Sequence, residues 1–376
     1  MLVNRVVLKS VAECETLQHG WSHLLGQCGH VTPFHTYEWI KANLQSFGSE
    51  GICVLAFRDG GSNLIGILPL ALRRGRRQLA TRTWLEFAGL PHADYASPLV
   101  SPGCEPQVAE SFLEFLNTPG RAWDAVFLDK LRPDDPFLRA LLAFARGRGW
   151  MAVRDSHQTR QLSKSQYLQD HVVADIKSLD KARKRLAHKG EVRFEVYDSA
   201  DRISAQLGTF VRLHVSRFAA KKMLSPLTLS SHVDFYRAII RECAPSGYVW
   251  LSRLSCGGRP VAMRLSLRFG ERLHLYATCF EQEFHKFSPS MLQLGMLLEY
   301  AFQNGISAVD FGGGESPHKE QSGATIQQSL IEVEFCAGVS PWAESRLYEV
   351  AERVSRKSLF FQRRAKALRR LLPYNV

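Results

Sequence analysis

One stretch of this chain, Phe269 to Glu320, limits its fold more than any other. It predicts a strand over Leu273 to Thr278, then a loop ending at Lys286-Phe287-Ser288-Pro289-Ser290. A helix follows from about Pro289 to Asn304, and Ser307 to Phe311 reads as a second strand. That strand runs into Gly312-Gly313-Gly314-Glu315-Ser316-Pro317-His318-Lys319. Pro289 suits a first helical turn and Ser288 the cap before it. A helix starting just past a strand end offers unpaired backbone N–H groups and a positive dipole end to an anion. Polar residues beyond the neighbouring strand can then reach whatever sits over that helix end. The layout suits a phosphorylated carrier held beside an acceptor.

At 376 residues the chain is long for one domain. Its apolar share of 45% and charged share of 22% are those of a globular protein able to bury a large core. No stretch approaches the roughly 18 to 20 apolar residues of a membrane span, and the start shows no export signal. The eight cysteines include no C-x-x-C pair, which argues against a zinc site or disulfide framework and fits a reducing cytoplasm. No metal is expected. The formal charge of +12 falls in two clusters, Lys177 to Arg193 and Arg353 to Arg370, the second with eight Lys/Arg and no acid. Such clusters favour acidic partners: coenzyme A, an acyl carrier protein, tRNA, a nucleotide sugar or anionic lipid. A solvated helix face explains either cluster equally well.

Strands and helices alternate in both halves, predicting an α/β chain of layered α+β type. Ile52 to Phe57 and Leu64 to Leu70 pair across Asp59-Gly60-Gly61-Ser62-Asn63; Tyr248 to Leu254 and Pro260 to Phe269 pair across Cys256-Gly257-Gly258-Arg259. In each half two helices precede such a hairpin, so the expectation is a structural duplication. Its boundaries are 1–155, 156–340 and a basic helical tail at 341–376. The tail's apolar side, with Leu359, Phe360, Ala367 and Leu371, is expected to face protein or the inner face of a membrane.

Two helices, a strand meander, then strand–loop–helix–strand is the order of the GNAT acyltransferase fold. Tyr167-Leu168, Lys181 to Leu186, Gly190 to Phe194 and Leu213 to Phe218 resemble the CelD-like, FemAB-related branch of that superfamily. So do Phe287-Ser288-Pro289, Gly305-Ile306, Val309-Asp310-Phe311 and Gly314-Glu315 with Lys319, and in the first half Pro33-Phe34, Trp39 and Asp94 to Pro98. The resemblance implies two GNAT-like lobes, each a mixed sheet flanked by helices. It also implies transfer of an acyl group from acyl-CoA to an amine or hydroxyl of a sugar nucleotide, polysaccharide precursor, amino acid or specialised metabolite. Where the branch has Gly, Tyr and an aromatic, this chain has Ser290, His318 and Ser322, and the R/Q-x-x-G-x-G/A pyrophosphate loop is absent. These departures leave an acyl carrier protein or aminoacyl-tRNA open as donor. A FemAB-like aminoacyl transferase acting on a cell-wall precursor and a non-catalytic accessory protein therefore stand beside the main reading.

Acyl transfer needs a neutral nucleophile, a proton acceptor and donors for the oxyanion. The catalytic candidates are Asp310, His214, Tyr276 and Lys319. Asp310 closes a central strand, where it serves the loop beyond or caps the glycine turn. His214 is a base candidate and shares a helix face with Arg217, a phosphate or carboxylate clamp. Tyr276 is placed to protonate a leaving thiolate, as the resemblance implies, and Lys319 to neutralise a phosphate or oxyanion. Lys286, Phe287, Ser288 and Ser290 line the expected donor loop. Glu315 is a ligand contact of the Gly-rich loop, and Asp94 and Tyr95 bind the acceptor by resemblance alone.

Overall fold

A computed structural model describes residues 3–47, 51–77, 80–145, 150–170, 176–314, 319, 322–324 and 326–336. The expected tail at 341–376 and Glu315 lie outside the described residues. The chain divides into two compact units. One holds Met1–His157 and, of the described residues, the chain from Ser329 onward; the other holds Gln158–Gln328.

The first unit contains β1 (Asn4–Leu8), α1 (Val11–Glu15), α2 (Gln18–Gln27), α3 (Tyr37–Phe47), β2 (Ile52–Arg58), β3 (Leu64–Arg77), β4 (Ala80–Phe87) and β5 (Leu99–Val100). It continues through α4 (Glu105–Leu116), β6 (Ala125–Leu131), α5 (Pro136–Ala145) and the start of β7 (Trp150–Ser163). The second contains α6 (Lys164–Asp170), α7 (Ile176–Ala187), β8 (Val192–Tyr197), α8 (Ala200–Ala220), α9 (Ser230–Cys243), β9 (Val249–Cys256), β10 (Arg259–Phe269) and β11 (Arg272–Phe280). It ends with α10 (Pro289–Gln303), β12 (Ala308–Gly313) and the start of β13 (Ile326–Cys336).

Strand order repeats between the units. In the first it is β1-β2-β3-β4-β6-β13, antiparallel throughout except for the parallel pair β4–β6. In the second it is β8-β9-β10-β11-β12-β7, with β11–β12 as the parallel pair. A parallel pair needs a crossover, and α4 and α10 supply it. The last strand of each sheet arrives from the other half of the chain. Thr159 to Ser163 of β7 pair with β12, and Ile331 to Cys336 of β13 pair with β6. The expected boundary at 155–156 thus falls inside β7. The strands β4 and β13 have no counterpart in the expected hairpins, and three helices, α1, α2 and α3, lie between β1 and β2.

Local chemistry explains the hairpins. The Asp59 carboxylate accepts the N–H groups of Gly61 and Asn63 at 2.9 and 2.8 Å, closing the β2–β3 turn. In the β9–β10 turn Gly257 and Gly258 take φ of 54° and 77°, the left-handed pair such a turn requires. Gly190 lies against that turn: a Cβ there would sit 2.8 Å from the Gly257 backbone.

α10 forms because Leu294, Leu297, Leu298, Ala301 and Phe302 make one apolar stripe, buried with Leu273 of β11 and Val309 of β12. Leu292 turns instead to a neighbouring cluster with Leu186 of α7, Leu254 of β9, Phe284 and Phe287. The start of α10 is thereby fixed between the sheet and α7. Among the described residues no helix is long and apolar enough to cross a membrane.

Candidate functional site

The parallel ladder between β11 and β12 is short. Arg272, Leu273 and His274 pair with Ala308, Val309 and Asp310, and no later residue of either strand continues it. β11 nevertheless runs on to Phe280 and β12 to Gly313. Just past the last pair β11 carries a bulge: Leu265 opposes Ala277 and Ser266 opposes Leu275, so Tyr276 is the extra residue. A bulge bends and twists its strand, and this one turns β11 from its parallel neighbour. The two strands open as a wedge whose root is the His274–Asp310 pair.

The helix start at the end of β11 is less generous in amides than the sequence suggests. Ser288 takes the left-handed conformation, φ 49° and ψ 49°, and its side chain makes no capping bond. Pro289 has no N–H, and the N–H groups of Met291 and Leu292 both donate to the Ser288 carbonyl at 3.0 Å. Among the described residues the Ser290 N–H is the first-turn amide without a backbone partner. No acidic residue lies in that turn. Phe287 is buried, while Lys286 is exposed with its ammonium 5.3 Å from the Phe287 ring centroid; the Arg185 guanidinium lies 5.6 Å from the same ring. Of the four residues expected to hold a donor, Phe287 is a packing residue and Lys286, Ser288 and Ser290 surround the helix start.

Asp310 is 2% exposed, with both carboxylate oxygens engaged. Oδ1 accepts the Gly312 N–H at 2.7 Å and Oδ2 accepts the Gln161 amide at 2.9 Å, with His274 Nδ1 at 3.8 Å. Gln161 in turn accepts Arg272 at 3.2 Å. The carboxylate fixes the glycine turn and ties β12 to β7 and β11. The Lys319 ammonium donates to the carbonyls of Gly312 and Gly313, each at 2.8 Å. It clamps the Gly-rich loop instead of projecting from it. Lys319→Ala is therefore expected to lower thermal stability, against the pure binding defect of a solvent-facing lysine. A melting temperature equal to wild type, with lost turnover, would show that the ammonium serves a ligand.

On α8, His214 is buried between the rings of Phe210 and Phe218, at 6.0 and 4.6 Å, and its Nδ1 pairs with Ser225 Oγ at 2.8 Å. Burial, with the Arg217 charge adding, pushes its pKa down to about 4. The imidazole is neutral at pH 7 and a weak base, since proton transfer is most effective when the pKa lies near the working pH. Arg217, one turn on, donates to the Thr278 carbonyl at 2.6 Å and lies 5.4 Å from the Phe280 ring centroid, so it docks α8 on the free end of β11. The bulged Tyr276 packs 6.0 Å from the Tyr236 ring of α9. Arg217 and Tyr276 thus meet the outer half of β11, whereas His214 sits in the helix layer.

Asp94 and Tyr95 belong to the first unit. Tyr95 is 1% exposed, its ring 6.5 Å from Phe34, which packs on Trp39 at 4.9 Å. His35 Nε2 meets Ser97 Oγ at 3.1 Å, tying the Pro33 to Thr36 segment to the Asp94 to Pro98 loop. These two motifs of the first half meet in its core.

Four residues outside the sequence-based candidates form a polar group beneath the start of α10: Arg264, Gln293 and Ser252, which are buried, and the half-buried Thr278. Thr278 Oγ1 lies 3.4 Å from Ser290 Oγ, and Arg264 Nε donates to Gln293 Oε1 at 3.1 Å. A signal for it exists in the sequence: Arg264 is the one charge in Val261 to Leu267, a mainly apolar segment of a strand buried on both faces. Among the described residues no group of three or more His, Cys, Asp or Glu side chains is placed to hold a metal ion.

Residues 175–320 match the family described as the acetyltransferase (GNAT) domain, and β11, β12 and the crossover helix α10 lie within the matched residues. The crystal structure of FemX aligns over 92% of this chain and 99% of that one, with a TM-score of 0.59 and 12% identity. The C-terminal DUF2156 domain of a protein assigned as lysylphosphatidylglycerol synthetase from Agrobacterium fabrum aligns over 91% and 97%, with a TM-score of 0.57 and 10% identity. L-PGS from Bacillus licheniformis gives 88% and 96%, a TM-score of 0.53 and 10% identity. At such identities the likeness is one of fold. No curated protein matches the sequence.

Proposed function

We propose that this protein is an acyltransferase of the CelD-like, FemAB-related kind that moves an acyl group from acyl-CoA to an amine or hydroxyl of a small acceptor. The acceptor class is that of sugar nucleotides, polysaccharide precursors, amino acids or specialised metabolites, and the reaction is cytoplasmic. The observation that carries this reading is the opening of β11 from β12 after His274 and Asp310, with the start of α10 beside it. A thioester lying along the edge of β11 beyond His274 takes the place of the missing strand partner, with its carbonyl beside the bulge. The acceptor nitrogen or oxygen attacks that carbon, the new bond forms, and the C–S bond breaks. The Tyr276 hydroxyl protonates the departing thiolate, and the acceptor's proton, released to solvent, is balanced by one that solvent returns to the Tyr276 oxygen. In this reading His214 and Asp310 hold the frame rather than carry protons.

A second reading, aminoacyl transfer from charged tRNA to a cell-wall precursor, is favoured by α7, where Lys181, Lys184 and Arg185 are exposed with no acidic partner among the described residues. Free-thiol release from an acyl-CoA panel with amine acceptors separates the two. Turnover with acetyl- or longer acyl-CoA, reduced tenfold or more in Tyr276→Phe, supports the first. No coenzyme A binding by calorimetry, together with tRNA binding that weakens steeply with salt, supports the second. Neither binding nor turnover would leave an accessory protein.

A further inference from the structure

The second unit buries a cation, Arg264, that finds no counter-charge among the described residues. Arg264 is 8% exposed at the centre of β10. Its Nε donates to Gln293 Oε1, the Gln293 amide donates to Ser252 Oγ, and the Ser252 hydroxyl donates to the Arg264 carbonyl at 3.3 Å. This bracket fixes the guanidinium along one edge. Its remaining nitrogens make no hydrogen bond or ion pair with the described residues. The charged group that acts on it most is another cation, Arg217, and burial with that neighbour lowers the Arg264 pKa to about 10, so it stays charged at pH 7. Cys279 supplies no anion, because burial pushes its thiol up to about 12.

The surroundings have the same sign. Gln293 stands in the second turn of α10, whose positive dipole end has no side-chain cap and no acid in its first turn. Thr278, opposite Arg264 in the sheet, brings its hydroxyl to Ser290 Oγ in that first turn. Lys286 and Arg185 sit over Phe287 just outside. A buried guanidinium facing a bare helix start is unfavourable unless an anion joins them.

We propose that Arg264, with the Thr278 and Ser290 hydroxyls and the Ser290 N–H, forms a phosphate-ester site beneath the first two turns of α10. Arg264 is its specificity-determining charge. This rests on the reading that a phosphorylated donor lies against α10, and it gives that donor's diphosphate a buried partner in place of the absent glycine loop. The neutral pantetheine arm gains nothing from Arg264.

The experiment measures inorganic pyrophosphate, coenzyme A and pantetheine by calorimetry and thermal shift on the full chain, with chloride at matched ionic strength as control. Two variants are used, Arg264→Met and Gln293→Glu, the second placing a carboxylate against the guanidinium in nearly the same volume. Wild type is expected to bind pyrophosphate and coenzyme A, both at least tenfold more weakly in either variant, with pantetheine unaffected. Without ligand, both variants are expected to melt at or above the wild-type temperature, because the unpaired buried charge is gone or neutralised. Anion affinities equal to wild type in a folded variant would overturn the proposal. So would a lower melting temperature in Gln293→Glu with pyrophosphate binding retained, or wild type that binds no pyrophosphate. Arg264-dependent pyrophosphate binding without acyl-CoA turnover would reject the acyl-CoA reading and sustain this one.

Discussion

Asp310→Ala is expected to cost the second unit about 3 kcal/mol or more, seen as a lower urea midpoint. Its carboxylate takes two hydrogen bonds, from Gly312 and Gln161. Hydrogen bonds to charged groups contribute about 1.5 to 3 kcal/mol each, and deleting the acceptor leaves the Gly312 N–H buried without this partner. Asp310→Asn keeps the shape but presents an NH2 to one of those donors, so it should lose about half as much. The order Ala worse than Asn, both far below wild type, follows from a framing role. A catalytic base would instead give a variant of wild-type stability that has lost turnover, and that outcome would remove Asp310 from the frame.

The second large effect is acid sensitivity set by His214. Its folded pKa of about 4 lies below the ordinary 6.5. Between these values the unfolded chain binds the proton and the folded one does not, so stability falls as pH drops from about 6.5 to about 4. Above that window the contribution is fully present; below it both states are protonated and the loss stops growing. At 1.36 kcal/mol per unit the gap corresponds to roughly 3 kcal/mol. His232, also shifted down by burial, adds in the same direction. His214→Gln keeps a polar group for Ser225 but cannot take the proton. Subtracting its urea midpoints from those of wild type across pH 4 to 7 isolates the His214 share. Parallel curves would mean that the imidazole charges freely in the folded state.

Both effects show how a residue's type and its role part company. Asp310, His214 and Lys319 stand out in the sequence because acid, imidazole and ammonium can do chemistry. Burial and partners make each of them a holding residue, for a turn, a helix layer and a loop respectively. Arg264 leaves one signal, a charge in an otherwise uncharged strand segment, but a charge there reads equally well as one exposed face. Only the packing of α10 over β10 makes it a buried cation.

The amino-acid order alone carried the local features. The Asp59 and Gly257-Gly258 turns, the apolar stripe of α10 and the strand–loop–helix–strand order are short-range consequences of backbone freedom and hydrophobic spacing, legible within about ten residues. The duplication of strand order was also legible, through its hairpins. Tertiary structure decided what distant residues do to one another. That β7 finishes the second unit's sheet and β13 the first's depends on edge pairing between residues far apart in the chain, Ser163 with Ala308 and Ala125 with Cys336. No local propensity encodes such a partner, because a strand's preference is set by the neighbours it packs against. The same holds for the wedge between β11 and β12. The bulge at Tyr276 is a mismatch between two strands, and it exists only when Leu265 and Ser266 are there to be mismatched with.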